Sequence, residues 1–141
     1  MRLFLLGTII VGVLNPSMAV AAGKPAPSSV CQVARDAAKL IGKRVRVEGY
    51  VWDLSSHGFV LTGKRRDCKV GQLGLGTEHV KSRPTWRKAF ANSQGPKRAI
   101  LVGTVRWQKA GFSGGRNPAL TVERVEYIGR READLKDFWS T

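Results

Sequence analysis

The chain has 141 residues, the length of a single domain, and its 24 Lys and Arg residues stand against 10 Asp and Glu. A domain of this length does not depend on several disulfides or a structural metal to hold its core, so the chain is not a cysteine-rich miniprotein. The formal charge of +14 favours anionic partners: nucleic acid, lipopolysaccharide, phospholipid head groups, acidic polysaccharide or an acidic protein. The alternative explanation is a basic protein in which the surplus charge only favours solubility.

The first 21 residues have the pattern of a secretory signal peptide. Met1 and Arg2 form a short positive start, an uncharged run follows from Leu3 to Leu14, and Ala19–Ala21 fits the small-residue cleavage pattern. A membrane anchor is the alternative, but the run is shorter than the ~20 residues that cross a hydrocarbon core. The sequence therefore predicts cleavage after Ala21 and a periplasmic or secreted protein with no membrane span after cleavage.

Residues 22–28 predict a tether, because they are rich in Pro and small residues, and residues 29–141 predict the folded domain. This domain contains both cysteines of the chain, Cys31 and Cys68. In an oxidising compartment such a pair predicts one disulfide. The loop that it closes corresponds to about 4 kcal/mol in the chain-entropy relation.

Within this domain the sequence predicts five strands, with one helix before them and one helix among them. Apolar residues at helical spacing follow Ser29, a helix-capping residue type, and Gly42 is placed to end that helix. Pro84 fits the first turn of the second helix, in which Trp86 and Phe90 share a face. In chain order the predicted elements are a helix from Ser29 to about Ile41, strands in Gly42–Asp53, Phe59–Thr62 and Val70–Thr77, a helix from Pro84 to about Ser93, and strands at Lys97–Lys109 and Ala119–Ile128. Gly129 is predicted to end the last strand and release a charged tail, Arg130–Thr141. This tail is predicted to form a short helix that docks Leu135, Phe138 and Trp139 on the domain.

Two of the predicted strands carry irregularities that indicate curvature. In Gly42–Asp53 the valines alternate with charged and aromatic residues, and Gly49 interrupts the strand on the apolar side. This pattern predicts a bent strand that serves both halves of a small barrel. In the last strand the inward parity slips between Val122 and Val125, which predicts a β-bulge.

The order strand, strand, strand, helix, strand, strand is that of a five-stranded Greek-key barrel. The bent strand Arg44–Trp52, the helix Pro84–Ser93 and the long loop Gln108–Pro118 resemble the corresponding parts of the OB-fold, and GKRVRVEGYV followed by a strand, a Cys and a glycine-rich third strand resembles small exported bacterial OB-like proteins. The predicted fold class is mainly β: a five-stranded OB-like Greek-key barrel with an N-terminal helix, a helix between strands 3 and 4, and a short C-terminal helical tail. An SH3-like small barrel with the mid-chain helix as an insertion is the alternative.

The sequence contains no pattern typical of an enzyme. His57 and His79 have no carboxylate partner at ligand spacing, so we predict neither a metal site nor a cofactor. No G-x-S-x-G motif or P-loop occurs, and the glycine-rich segment Gly111–Arg116 lacks the helix that follows a phosphate-binding loop. Some OB-like barrels are exported nucleases with clustered carboxylates, but Asp53 and Asp67 stand isolated among basic residues. We therefore predict a non-enzymatic binding domain, with a small exported nuclease or hydrolase, or an envelope protein–protein interaction subunit, as the alternative.

OB barrels bind ligands through strands two and three and through the loops that join strands 1–2 and 4–5. In this chain those parts are Asp53–Gly58, Phe59–Arg66 and Gln108–Asn117. Aromatic rings that stack and cations that follow a phosphate backbone are the ingredients of single-stranded nucleic-acid binding. The predicted basic, aromatic-lined cleft consists of Trp52, His57, Phe59, Lys64, Arg65, Arg66, Trp107, Lys109, Phe112 and Arg116. Packing of the aromatic residues and solvation of the basic turn are the alternative explanation.

Overall fold

The computed structural model describes residues 25–68, 72–92, 95–109, 114–132, 135 and 138. Strands dominate this part of the chain, and three short helices accompany them. The predicted signal peptide and the start of the predicted tether lie outside it. The elements are β1 (Ser28–Ser29), α1 (Val30–Arg35), α2 (Ala37–Leu40), β2 (Arg44–Asp53), β3 (Phe59–Thr62), β4 (Gln72–Gly76), α3 (Pro84–Phe90), β5 (Lys97–Lys109) and β6 (Arg116–Arg131), with a 3₁₀ turn at Ser55–His57.

The strands form one six-stranded mixed sheet in which five strands close a ring of hydrogen bonds. β2 pairs with β3, β3 with β4, β4 with β6, β6 with β5, and β5 again with β2. Within this ring the β4–β6 pairing is parallel and the other four pairings are antiparallel. The predicted mainly β class is confirmed, with one strand more than predicted, because β1 pairs in parallel with β2.

β2 joins both halves of the ring, as its sequence predicts. Most of β2 pairs with β5, and its last residues, from Tyr50 to Asp53, pair with β3. Gly49 is buried on the core side, and a Cβ atom added there would stand 2.9 Å from Cγ of Leu61. Because real Cβ atoms do not approach other atoms so closely, the missing side chain is what allows β3 to cross close to β2.

The predicted bulge in the last strand is present. Gly103 of β5 pairs with Val122, whereas the preceding Val102 pairs with Arg124. Glu123 is therefore an extra residue in β6, and the side-chain parity of the strand changes at this point.

The ends of β6 differ from the prediction. The strand runs from Arg116 to Arg131, whereas the sequence predicts Ala119–Ile128. It continues through Gly129 because β5 is long enough to pair with residues on both sides of this glycine. The prediction that Gly129 releases the tail is therefore wrong, and the predicted loop after β5 is shorter because the strand already begins at Arg116.

The predicted N-terminal helix is present as two short pieces. The Oγ of Ser29 accepts a hydrogen bond from the N–H of Gln32 at 3.2 Å, so the predicted cap is confirmed. Asp36 separates α1 from α2 with φ −95° and ψ 12°, and the prediction of one continuous helix is wrong because the apolar spacing continues across this break. Gly42 then takes φ +77°, a value that glycine tolerates, and turns the chain into β2.

The predicted disulfide between Cys31 and Cys68 is present, with a Cα–Cα distance of 5.6 Å. Cys31 lies in the first turn of α1, and Cys68 lies in the turn after β3, so the bond fastens the helix to the sheet. Gly63 lies directly beside it: a Cβ atom there would be 2.5 Å from Sγ of Cys31. Only glycine leaves room for the sulfur atoms at this position.

α3 packs on the core through an aromatic cluster. Trp86 is buried, and its ring lies 5.0 Å from that of Phe59 and 4.8 Å from that of Phe90, centroid to centroid. The predicted shared face of Trp86 and Phe90 is therefore confirmed. None of the helices in the described part of the chain has the length and apolar composition of a membrane span.

The remaining predicted boundaries are partly testable. β4 occupies Gln72–Gly76 within the predicted Val70–Thr77, and α3 ends at Phe90 rather than near Ser93. Ser93, most of the predicted tail helix and Trp139 lie outside the described residues.

Candidate ligand-binding face

The side of β2, β3 and β4 that points away from the core forms the candidate site. Paired residues of a ladder share a face, and Tyr50 pairs with Thr62 while Trp52 pairs with Val60. β4 extends this surface, because Val60 also pairs with Gly74. All of these residues are partly exposed. We call the surface that they form the outer face: Tyr50, Trp52, Val60, Thr62 and Gly74.

The two aromatic rings of the outer face have defined contacts. Nε1 of Trp52 donates a hydrogen bond to Oγ1 of Thr62 at 3.0 Å. Phe138 lies against both rings, with its centroid 5.0 Å from that of Tyr50 and 5.6 Å from that of Trp52, at interplanar angles of 73° and 78°. These are favourable edge-to-face arrangements. The predicted docking of Phe138 is thus observed, and the place where it docks is the outer face.

A turn with three cations borders the outer face, and it consists of Lys64, Arg65 and Arg66. Nζ of Lys64 lies 5.5 Å from the ring centroid of Tyr50, within the range of a cation–π interaction. The N–H groups of Asp67 and Cys68 both donate to the carbonyl of Lys64. Because Cys68 is also tied to α1 by the disulfide, the turn that carries the three cations is fastened to the helix.

A further cation, Arg106, lies on the same row of paired residues as Trp52. Gly74 pairs with Ala119 of β6, and Ala119 pairs with Arg106 of β5. The row from Trp52 to Arg106 therefore crosses five strand positions, about 19 Å at the usual strand spacing. Arg106 is exposed, so the row has an aromatic ring at one end and a guanidinium group at the other.

The β5–β6 hairpin approaches the outer face from the end opposite to Trp52. β2 ends beside the start of β5, whereas Trp107 lies near the end of β5, so Trp52 and Trp107 stand at opposite ends of the β2–β5 ladder. Gln108 reaches towards the outer face, because its Oε1 lies 2.8 Å from the position of a Cβ atom on Gly74. The predicted site residues of this hairpin that the structure describes are all exposed: Trp107, Lys109 and Arg116. Phe112 lies outside the described residues.

His57 and Phe59 lie on either side of the start of β3. His57 is exposed in the 3₁₀ turn after β2. The ring of Phe59 packs edge-on against Trp86 and Phe90, each 5.0 Å away, and joins the core cluster. Since Phe59 holds α3 on the sheet, we leave it out of the proposed ligand-binding set.

The acidic residues of β2 and β6 form ion pairs with arginines next to the outer face, since Arg98 is the ladder partner of Tyr50. Arg44 pairs with Glu123 at 2.8 Å, Arg46 with Glu126 at 2.7 Å, and Arg98 with Glu48 at 2.5 Å, all between β2, β5 and β6. A hydrogen bond from Thr104 lowers the pKa of Glu123, and Arg44 adds to this effect. Carboxylates also lie beside the basic turn, because Arg66 is 3.8 Å from Asp67, and Glu48 lines the same cavity as Tyr50 and Lys64.

The set of site residues predicted from the sequence lacks three residues that lie on or beside the outer face: Tyr50, Arg106 and Phe138. Tyr50 and Arg106 point outward by strand parity, a signal present in the sequence once the pairing is known. Phe138 is distant from Tyr50 in the sequence, and only the fold brings the two rings together.

Within the described ranges, no group of three or more His, Cys, Asp and Glu side chains is arranged to hold a metal ion. The chain matches no protein-family model, no curated protein sequence and no solved structure.

Proposed function

We propose that this protein is an exported, non-enzymatic binding domain with an OB-like Greek-key barrel, and that its outer face binds an anionic polymer. The closed strand order β2–β3–β4–β6–β5, with α3 between β4 and β5, supports the OB-like arrangement. The disulfide supports export, because structural disulfides persist in oxidising compartments.

One observation carries the proposal: Lys64 of the basic turn lies beside the ring of Tyr50, which shares the outer face with Trp52. Lys64 contacts the face of Tyr50, and the hydrogen bond to Thr62 holds Trp52 in its place on the outer face. An adjoining pair of rings and cations offers stacking and phosphate neutralisation to the same ligand. Single-stranded nucleic acid suits this combination best, because its bases offer flat π faces to the rings and its phosphates offer charge to the cations.

The decisive experiment measures binding of oligothymidylate and of lipopolysaccharide by the mature chain over a range of salt concentrations. For single strands, the slope of log K against log salt is about −0.7 per neutralised phosphate. Replacing the three cations of the basic turn by Gln should therefore reduce the slope for oligothymidylate by about 2. The variant carries Lys64→Gln, Arg65→Gln and Arg66→Gln.

A matched control removes the same charge elsewhere, at three exposed lysines outside the outer face: Lys39→Gln, Lys43→Gln and Lys81→Gln. An equal loss of affinity in the control would mean that net charge alone drives binding and that the outer face is not the site. Failure to bind any polyanion at low salt would overturn the proposal altogether. Digestion of the oligonucleotide that depends on a divalent cation would favour the nuclease alternative.

Export has its own test. Protein recovered from the periplasm or medium should begin at Ala22, as the cleavage pattern predicts. Protein that stays in the cytoplasm with Met1 and the following segment intact would contradict this part of the proposal while leaving the binding measurements valid.

A further inference from the structure

A second basic surface lies in a groove between α3 and the last residues of β6. Lys88, Asn92 and Thr85 line it from α3 and the residues after it, and Lys97, Tyr127 and Arg130 line it from the sheet. The charged side chains among its described lining residues are all cations. The groove shares no lining residue with the outer face or the basic turn.

Lys97 forms part of this groove although it is almost fully buried, with 4% of its surface exposed. Its Nζ donates to the carbonyl of Ala89 in the last turn of α3 and lies 5.1 Å from the ring centroid of Phe90. A positive charge is thus fixed against the wall of the groove by the packing of α3 on the sheet.

A like charge stands directly opposite Lys97. Lys97 pairs across the ladder with Arg131, whose side chain folds over Gly95. Like charges at directly opposed positions are unfavourable. Burial and, to a lesser degree, the charge of Arg131 lower the pKa of Lys97. An anion bound in the groove would be attracted by the charge of Lys97.

The remaining lining residues add polar groups along the groove. Asn92 and Thr85 offer an amide and a hydroxyl group, and the exposed Tyr127 offers a phenol. Ammonium and guanidinium groups form charge-assisted hydrogen bonds to phosphate oxygens, and these are stronger than neutral ones. We propose that this groove binds a compact phosphate-bearing anion, at a site separate from the polymer-binding outer face.

The test is an amide NMR titration of the mature chain with inorganic phosphate at constant ionic strength. Saturable shifts are expected at Lys88, Asn92 and Gly129, with a Kd in the millimolar range or tighter. Arg130→Gln and, separately, Lys88→Gln should each raise that Kd about tenfold, the effect of one lost charge-assisted hydrogen bond. Lys39→Gln removes the same charge away from the groove and should leave the Kd unchanged.

Each outcome decides the matter. Shifts that grow linearly without saturation, or an equal effect of Lys39→Gln, would reduce the interaction to general charge screening and overturn the proposal. Binding to vesicles of phosphatidylglycerol without a response to inorganic phosphate would also overturn it, in favour of a membrane-facing surface. Since Lys64, Arg65 and Arg66 are not in the groove, the result is independent of whether oligothymidylate binds the outer face.

Discussion

The ring of Phe138 lies edge-on to the ring of Tyr50, with 5.0 Å between the centroids. Phe138 touches Trp52 in the same way, so it occupies the surface on which a base of the proposed ligand would stack. Removing it by Phe138→Ala should therefore strengthen the binding of oligothymidylate. An aromatic pair contributes about 0.5–1.5 kcal/mol, so the gain in affinity is expected to be about two- to tenfold.

Fluorescence anisotropy with labelled oligothymidylate measures this gain. Leu135→Ala is the control, because it shortens another apolar side chain of the same segment without removing a ring from Tyr50. Weaker binding by Phe138→Ala would mean that Phe138 belongs to the ligand site rather than competing for it.

Gly49→Ala should destabilise the domain, because its new Cβ would meet Leu61 at 2.9 Å inside the core. Forcing extra atoms into a packed core costs about 1–3 kcal/mol. The free energy of unfolding in urea should fall by this amount. Gly76→Ala makes the same change in β4, but there the nearest atom, 3.1 Å away, is a carboxylate oxygen at the flexible end of Glu78. A loss as large at Gly76 as at Gly49 would argue against close crossing of β2 and β3 as the reason for Gly49.

Removing the disulfide should affect both stability and binding. Cys31→Ala together with Cys68→Ala frees a loop whose closure corresponds to about 4 kcal/mol, and the free energy of unfolding should drop by up to this value. The basic turn also loses its tie to α1, so oligothymidylate should bind more weakly even at temperatures where the variant is folded. Reduced wild-type protein is the natural comparison. Equal affinity of oxidised and reduced protein would show that the turn is held by its own hydrogen bonds.

The pKa of Glu123 should depend on the hydrogen bond that its carboxylate accepts from Thr104. That bond holds the pKa of Glu123 below its ordinary value of 4.5, so the folded chain binds this proton less readily than the unfolded chain. The resulting stabilisation is complete above the unfolded pKa and is lost as the pH falls through the folded pKa. Thr104→Val should raise the pKa of Glu123 towards its ordinary value, as followed by an NMR titration of the carboxyl carbon. Thr104→Ser keeps the hydroxyl and should preserve the lowered pKa; an unchanged pKa in Thr104→Val would assign the shift to Arg44 instead.

Strand positions followed from local sequence where side-chain alternation was strong. The strand Lys97–Lys109 and the strand Phe59–Thr62 have the bounds that their sequences predict, and the parity slip after Val122 located the bulge at Glu123. In each case one face of the strand packs on the core, so apolar residues occupy alternate positions in its sequence.

Features that depend on pairing partners could not be read locally. Ser28–Ser29 carries no strand pattern and becomes a strand only because β2 offers it hydrogen-bonding groups. The break at Asp36 leaves the apolar spacing intact and so leaves no trace in it. At the site, the basic turn was predicted, but its neighbours Tyr50 and Phe138 come together from distant parts of the chain.

Ser28–Ser29 also covers part of one edge of β2 that would otherwise be open to solvent. β5 occupies one flank of β2 at Val47 and Glu48, and β3 begins to pair on the other flank only at Tyr50. The two serines pair with Val47 and Glu48 on that second flank. Open strand edges are templates for association between molecules. We therefore expect this short segment to limit self-association through the edge of β2. A chain shortened to begin at Val30 should form strand-paired dimers or aggregates at concentrations where the longer chain stays monodisperse.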